Sequence, residues 1–239
     1  MPLALGQAGA YIKQNAISFT DYLSLYKEHE QELLLDDTRA EGSDSLRIAT
    51  TWNLSLEAIV KEAKQNQQPP LALHLLTVCA YLAPEKINKS LLLTWLHESH
   101  PKLKNPELIL PKIIGQLWQY SMLNKDDDGN ITVHRLVQTV VRHQHQQAAN
   151  QKNTHYQPLT QQWFDVLLNS GHIEFIKKTQ VLEDENRKKK LLPHIQTVLK
   201  YHETLWPNAL QLNLVPILND IGISIYMLGG SRHIVKDFY

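Results

Sequence analysis

Apolar residues recur along most of the chain at the three- and four-residue spacing of amphipathic α-helices, whereas the alternation typical of β-strands is rare. The clearest helical pattern lies in the first quarter of the chain, and its apolar positions are Ile48, Trp52, Leu56, Ile59 and Val60. Because nearly every segment repeats this spacing, the sequence predicts a mainly α-helical protein.

Two helices are predicted at the beginning of the chain. Pro2 suits the first position of a helix, because its missing N–H would have no partner there. The apolar stripe of this helix consists of Leu5, Ala8 and Ile12. Ser18 followed by Asp21 is a capping box with an aspartate as the acidic member, so a second helix is predicted to start there. The polar segment 36–44 then predicts a loop and a domain boundary.

The middle of the chain combines helices with one hairpin. The pattern predicts a buried core helix over residues 72–82, a short helix capped by Asn88, and a helix over residues 108–122. The Asp-Gly pair in the segment 126–130 lies between two short apolar-polar runs, which is typical of a β-hairpin. A closing helix is predicted over residues 134–145, with Leu136, Val137, Val140 and Val141 facing inward. Three helices, a hairpin and a closing helix are typical of a winged-helix domain.

The last third of the chain is predicted to be a polar linker over residues 148–158 followed by further helices. Near the end, the spacing of tetratricopeptide repeats is matched by Leu218, Ile221, Gly222, Ile225 and Phe238. The second helix of that repeat has barely begun at Tyr239, and one repeat needs neighbours to bury its faces. We therefore expect a chain that is cut at both ends and whose bare first helix causes self-association.

Composition narrows the class of protein further. Lysine plus arginine and aspartate plus glutamate each number 24 in 239 residues, so the basic excess of a dedicated nucleic-acid binder is missing. Cys79 is the only cysteine and lies in an apolar run, which predicts a buried thiol and a reducing compartment. No stretch of the sequence has the composition of a membrane span or a signal peptide, so we expect a cytoplasmic protein without membrane contact.

Candidate chemistry is sparse. The sequence contains no phosphate-binding loop of the type Gly-x-x-x-x-Gly-Lys-Ser/Thr and no Gly-x-Ser-x-Gly motif, so no catalytic residue is predicted and we expect no enzyme activity. The histidine pairs His97/His100 and His143/His145 have no cysteine or acidic cluster beside them in the sequence, so no metal site is predicted. The tryptophans are expected to be core anchors, namely Trp52, Trp95, Trp118, Trp163 and Trp206.

Three segments together resemble one family. They are the initial Met-Pro-Leu-Ala-Leu helix, the run Ile-Ala-Thr-Thr-Trp-Asn-Leu-Ser-Leu at residues 48–56, and Val-His-Arg-Leu-Val-Gln at residues 133–138. With the winged-helix pattern and the repeat-like tail, they resemble the C-terminal part of an NB-ARC (STAND-class) signalling ATPase. The resemblance implies that residues 1–42 end the NB-ARC helical subdomain. It also implies a winged helix over residues 43–147, and a connector and first repeats over residues 148–239.

The resemblance also implies two nucleotide-binding residues. In the family a proline of the first motif packs near the adenine, which corresponds to Pro2. A histidine at the exit of the winged-helix hairpin reaches the β-phosphate of ADP, which corresponds to His134. A histidine suits that task because its ring nitrogen donates a hydrogen bond. Met1 stands where the family has leucine, and Arg135 replaces the aspartate of many members.

The predicted function is that of a non-catalytic regulatory fragment of a nucleotide switch. It needs no cofactor in isolation, uses ADP or ATP only in an intact parent protein with its nucleotide core domain, and contacts protein partners through the helical tail. A stand-alone helical adaptor that binds a protein is the first alternative. A winged-helix DNA-binding regulator is the second. It is less favoured because its candidate recognition helix, residues 108–120, has Lys112 as its only basic residue.

Overall fold

The computed structural model describes residues 2–36, 43–150 and, further along the chain, residues 193, 194, 196–198, 200 and 201. Within this part the protein has seven named α-helices and one antiparallel pair of short strands, which confirms the mainly α-helical class. In chain order the elements are α1 (Pro2–Asn15), α2 (Phe19–Asp36), α3 (Ser43–Gln65), α4 (Leu71–Ala80), α5 (Lys89–Ser99), α6 (Pro106–Gln119), β1 (Asn124–Lys125), β2 (Ile131–Thr132) and α7 (Arg135–Asn150).

Local sequence signals account for two of the helix starts. The backbone N–H of Asp21 donates to the Ser18 hydroxyl at 3.1 Å, and the Ser18 N–H donates back to the Asp21 carboxylate at 3.2 Å. This reciprocal pair is the predicted capping box. At the start of α5, the Asn88 side-chain oxygen accepts the Ser90 N–H at 2.8 Å, as predicted. Both contacts satisfy backbone donors that have no partner within the helix.

The first three helices pack together, and α3 lies mainly against α1 and α2. Buried Tyr11 of α1 and Tyr22 of α2 have ring centroids 5.6 Å apart, and the Tyr22 hydroxyl donates to Thr51 of α3. The expected stripe of α1 was wrong in one position. Leu5 is 73% exposed, whereas Gln7 on the neighbouring face is fully buried. The burial of α1 is therefore set by the aromatic cluster around Tyr11.

Helix α4 forms the centre of the second half of the described chain. It is buried from Ala72 to Ala80, and it packs against both α6 and α7. Its mostly apolar sequence is explained by this position, because a helix covered on all sides has no polar face. Cys79 lies within it at 0% exposure, which confirms the predicted buried thiol.

The strands form a small sheet at one edge of this core. β1 and β2 pair antiparallel with Lys125 opposite Ile131, and Ile87 forms a further bridge to Ile131. Gly129 in the connecting turn has φ +75°, a left-handed conformation that glycine adopts without strain. The predicted hairpin is confirmed. From α4 onward the order is helix, isolated β-bridge at Ile87, helix, helix, hairpin and helix.

Two apolar side chains that we expected to be inward are instead on the surface. Trp118 of α6 is 56% exposed and its ring lies beneath the Lys125 ammonium, 5.6 Å from the centroid. Leu136 in the first turn of α7 is 45% exposed. By contrast, Trp52 and Trp95 are buried as predicted. Helical spacing identifies an apolar residue, but the neighbouring elements decide whether it is covered.

Some predicted boundaries differ from those of the structure, and other predictions fall outside the residues that it describes. α3 already begins at Ser43, inside the segment predicted as a loop, and α7 continues to Asn150, two residues beyond the predicted start of the linker at 148. The tetratricopeptide-like positions 218–238 lie outside the described residues, as do Trp163 and Trp206. The three domain ranges remain predictions. None of the helices in the described ranges combines the length and hydropathy needed to cross a bilayer.

Candidate functional site

His134 lies between β2 and α7 and is exposed. Its ring Nδ1 is 3.2 Å from the backbone N–H of Leu136, which donates to it at the first turn of α7. An imidazole nitrogen that accepts a hydrogen bond carries no proton, so the neutral ring has its proton on Nε2. His134 therefore caps the helix with one nitrogen and offers an N–H donor with the other.

Buried residues and backbone hydrogen bonds fix the chain on both sides of His134. Just before it, Val133 is fully buried and its N–H donates to the Pro84 carbonyl at 2.8 Å. Just after it, Val137 is buried, and the Gln138 N–H donates to the His134 carbonyl at 3.1 Å. An exposed ring on a buried strand-to-helix junction keeps its position, which is what a ligand-contacting side chain requires.

The electrostatics of this junction favour an anion. The N-terminal end of α7 carries the positive end of the helix dipole, and the exposed Arg135 follows His134 directly. Arg142, two turns further along, is engaged elsewhere: its guanidinium donates to the Ala80 carbonyl and to the Thr139 hydroxyl at 3.1 Å. The positive charge available at the start of α7 thus comes from Arg135, and the neutral ring of His134 adds an N–H donor.

The second predicted site residue is not brought to His134 by any described contact. Pro2 is the first residue of α1, as predicted, but its side chain lies outside the described set. α1 does contact the segment between α6 and β1, because the Gln7 amide donates to the Ser121 carbonyl at 3.4 Å. Pro2 and His134 therefore stay separate predictions of nucleotide contact.

Sequence reasoning missed the residues that fix α7 to α4. The Gln138 side-chain amide donates to the carbonyl oxygens of Cys79 and Leu82, both at 2.9 Å, and Arg142 binds the Ala80 carbonyl. The sequence did point to Gln138, because this residue is the last one of the Val-His-Arg-Leu-Val-Gln run and lies one helical turn after His134. The same motif therefore places the exposed ring and anchors the helix that carries it.

His97 in the last turn of α5 and His100 directly after this helix make contacts of their own. His97 Nε2 lies 3.1 Å from the Glu107 carboxylate, and His100 Nε2 lies 3.4 Å from His74 Nδ1. Burial lowers the pKa of His100, because desolvation disfavours the charged ring. In the described part of the chain, no group of three or more metal-ligating side chains comes together.

Comparison with known proteins gives two matches. Residues 63–150 match the model of a domain of unknown function, DUF7779, which spans the end of α3 through α7. The whole chain is 30% identical over 250 residues to a "Nucleotide-binding leucine-rich repeat (NLR)-like protein" from Hyaloscypha variabilis. The alignment covers 100% of this chain and 22% of that relative, so the chain spans less than a quarter of the relative's length. No solved structure matches the chain.

Proposed function

We propose that this chain is a non-catalytic regulatory part of a STAND-type nucleotide switch. In this proposal the elements from α3 to α7 form the winged-helix domain, and His134 contacts the β-phosphate of ADP bound to a separate nucleotide core. Helices α1 and α2 end the NB-ARC helical subdomain. The tail provides the surface for protein partners.

The observation that carries the proposal is the position of His134 at the exit of the hairpin. Its Nδ1 accepts the Leu136 N–H at 3.2 Å, so the ring offers Nε2–H outward from the positive end of α7. Similarity along the whole chain to an NLR-like protein supports the same class. A donor held in this way favours the ADP-bound state, and any ligand shifts a two-state equilibrium only by its differential affinity.

The proposal is tested in a protein that joins this chain to its nucleotide core. His134→Ala is expected to weaken ADP binding by about tenfold to a hundredfold, because a hydrogen bond to a charged group contributes about 1.5–3 kcal/mol. Fluorescence titration with a labelled ADP measures this. His143→Ala is the matched control, because His143 is an exposed histidine of α7, the helix that follows His134.

Unchanged ADP affinity in His134→Ala would contradict the proposed contact between His134 and the β-phosphate. Equal losses in His134→Ala and His143→Ala would indicate a general effect on α7 instead. For the chain alone, without a phosphate-binding loop, we expect no ATP turnover. Turnover that persists in rigorously purified protein and disappears in His134→Ala would contradict the non-catalytic assignment.

A helical protein-binding adaptor is the second candidate, and the surface of α6 favours it. Leu108 and Trp118 are 66% and 56% exposed there, and Lys112 is the only basic residue of α6. The turn of the hairpin adds Asp126, Asp127 and Asp128, whose charges repel a phosphate backbone. The alternative of a DNA-binding regulator is therefore less favoured. Salt-dependent retention on a DNA column tests it, since phosphate contacts weaken steeply with salt.

A further inference from the structure

A short stretch far along the chain lies against the junction of α4 and α7. We call residues 193–201 the docked segment. Its described residues are helical from Pro193 to Lys200, and it ends in a turn at Tyr201. The surface that it contacts, called here the α4–α7 surface, consists of Tyr81, the Lys86 carbonyl, Arg142 and the apolar core beside them.

Three of the described residues of the docked segment contact the rest of the protein. His194 is 3% exposed, Val198 is fully buried within the core, and Tyr201 is half-buried. They are four and then three residues apart, which places them on one face of a helix. Pro193 and Lys200 are exposed. The described contacts of the segment therefore lie on one face, as those of an amphipathic helix do in a groove.

The Tyr201 contact is the most specific of the three. Its ring meets the Tyr81 ring edge-on, with centroids 5.7 Å apart, and the Arg142 guanidinium carbon lies 4.6 Å from the Tyr201 centroid. The same guanidinium donates to the Ala80 carbonyl, a contact that does not involve the docked segment. An oriented guanidinium and an aromatic edge together select an aromatic side chain.

The His194 contact is only partly satisfied. Its Nε2–H donates to the Lys86 carbonyl at 3.3 Å, a long hydrogen bond. Its Nδ1 is buried and has no hydrogen-bond partner among the described residues. A buried polar atom without a partner costs free energy. The unpartnered Nδ1 and the long hydrogen bond therefore weaken the hold of the α4–α7 surface on the docked segment.

From this arrangement we propose that the α4–α7 surface is a binding site for an amphipathic helix. Its ligand presents a ring N–H donor, an aliphatic residue and an aromatic residue at positions i, i+4 and i+7. Residues 193–201 are its resident and exchangeable occupant. The inference does not depend on nucleotide binding by His134.

The test uses a fluorescently labelled peptide of residues 191–203 and the full chain. With the wild-type chain the surface is filled, and weak peptide binding is expected. Val198→Asp places a charge in the apolar part of the contact and releases the resident segment. Fluorescence anisotropy should then show peptide binding about tenfold tighter or more, whereas Pro193→Ala, at an exposed position, should behave as wild type.

Matched peptides separate docking from misfolding. A peptide with Tyr201→Ala should bind the Val198→Asp chain about tenfold more weakly than the wild-type peptide, while a Lys200→Gln peptide should bind nearly as well.

If Val198→Asp unfolds the chain, as judged by near-ultraviolet circular dichroism, the double variant His194→Ala/Tyr201→Ala replaces it. Concentration-dependent dimers of the wild-type chain that the peptide dissociates would also support an exchangeable site. Equal peptide binding by wild type and released variant, or none by either, would overturn the proposal.

Discussion

The side-chain amide of Gln138 donates a hydrogen bond to the backbone carbonyl of Cys79, 2.9 Å away, where α4 ends. The same amide reaches the Leu82 carbonyl at 2.9 Å. The last carbonyls of a helix have no partner within it, and at a buried end they need one from elsewhere. Gln138 therefore acts as a C-terminal cap for α4 that is supplied by another helix, and it joins the central helix to the one that follows His134.

Replacing this cap should destabilise the protein. Gln138→Leu keeps the approximate size of the side chain but removes its amide from the carbonyls of Cys79 and Leu82, which costs about 1–3 kcal/mol. The Cys79 carbonyl keeps the Leu82 N–H at 3.3 Å. Urea denaturation measures the loss in the free energy of unfolding. Gln146→Leu, at an exposed position of the same helix, should change it by less than about 0.5 kcal/mol. Equal effects at the two positions would argue against the capping role.

Two leucines on neighbouring helices should respond very differently to truncation. Leu76 of α4 is fully buried, so Leu76→Ala should cost about 2–5 kcal/mol through lost burial and a cavity. Leu136 of α7 is 45% exposed, so Leu136→Ala should cost less than about 0.5 kcal/mol. Denaturation midpoints of both variants check this. A large loss for Leu136→Ala would mean that a partner covers it in solution.

The capping box at the start of α2 should make stability depend on pH. Hydrogen bonds from Ser18 lower the pKa of the Asp21 carboxyl below its ordinary value of 3.8. A folded-state pKa below the unfolded one stabilises the protein above the unfolded value, and this contribution disappears as pH falls through the folded value. The wild-type advantage over Asp21→Asn should therefore be present at neutral pH and shrink below pH 3.8.

Urea midpoints of the two proteins, measured from neutral pH downward, test this dependence. Subtracting one from the other removes the contribution of the remaining carboxyl groups. A difference that stays constant across the acidic range would show that the Ser18 contact does not favour the ionised form of Asp21.

The single thiol should be inert in the folded protein. Cys79 is 0% exposed, and burial raises its pKa to about 12, so almost no reactive thiolate exists at neutral pH. Labelling by a thiol reagent should be slow in buffer and complete in denaturant, with a native rate that follows the opening of the core. Destabilising the core with Leu76→Ala should accelerate the reaction. Rapid labelling of the native wild type would contradict this burial.

Part of the candidate site could be predicted from the sequence. His134 was recognised from its motif at the junction of a hairpin and a helix, and the hairpin followed from the Asp-Gly pair. The hydrogen bond from the Leu136 N–H to His134 Nδ1, which sets the position of the ring proton, was not predicted. It depends on a side-chain torsion that the spacing of residues does not specify.

The sequence by itself determined the features that depend on residues a few positions apart. These are the helical class, the capping box of Ser18 and Asp21, the Asn88 cap and the turn at Gly129, where short-range hydrogen bonds and backbone preferences decide the outcome. Tertiary structure alone decided that Trp52 is buried while Trp118 is exposed. The physical reason is that burial depends on the area covered by distant segments, and that area is set by how the helices pack.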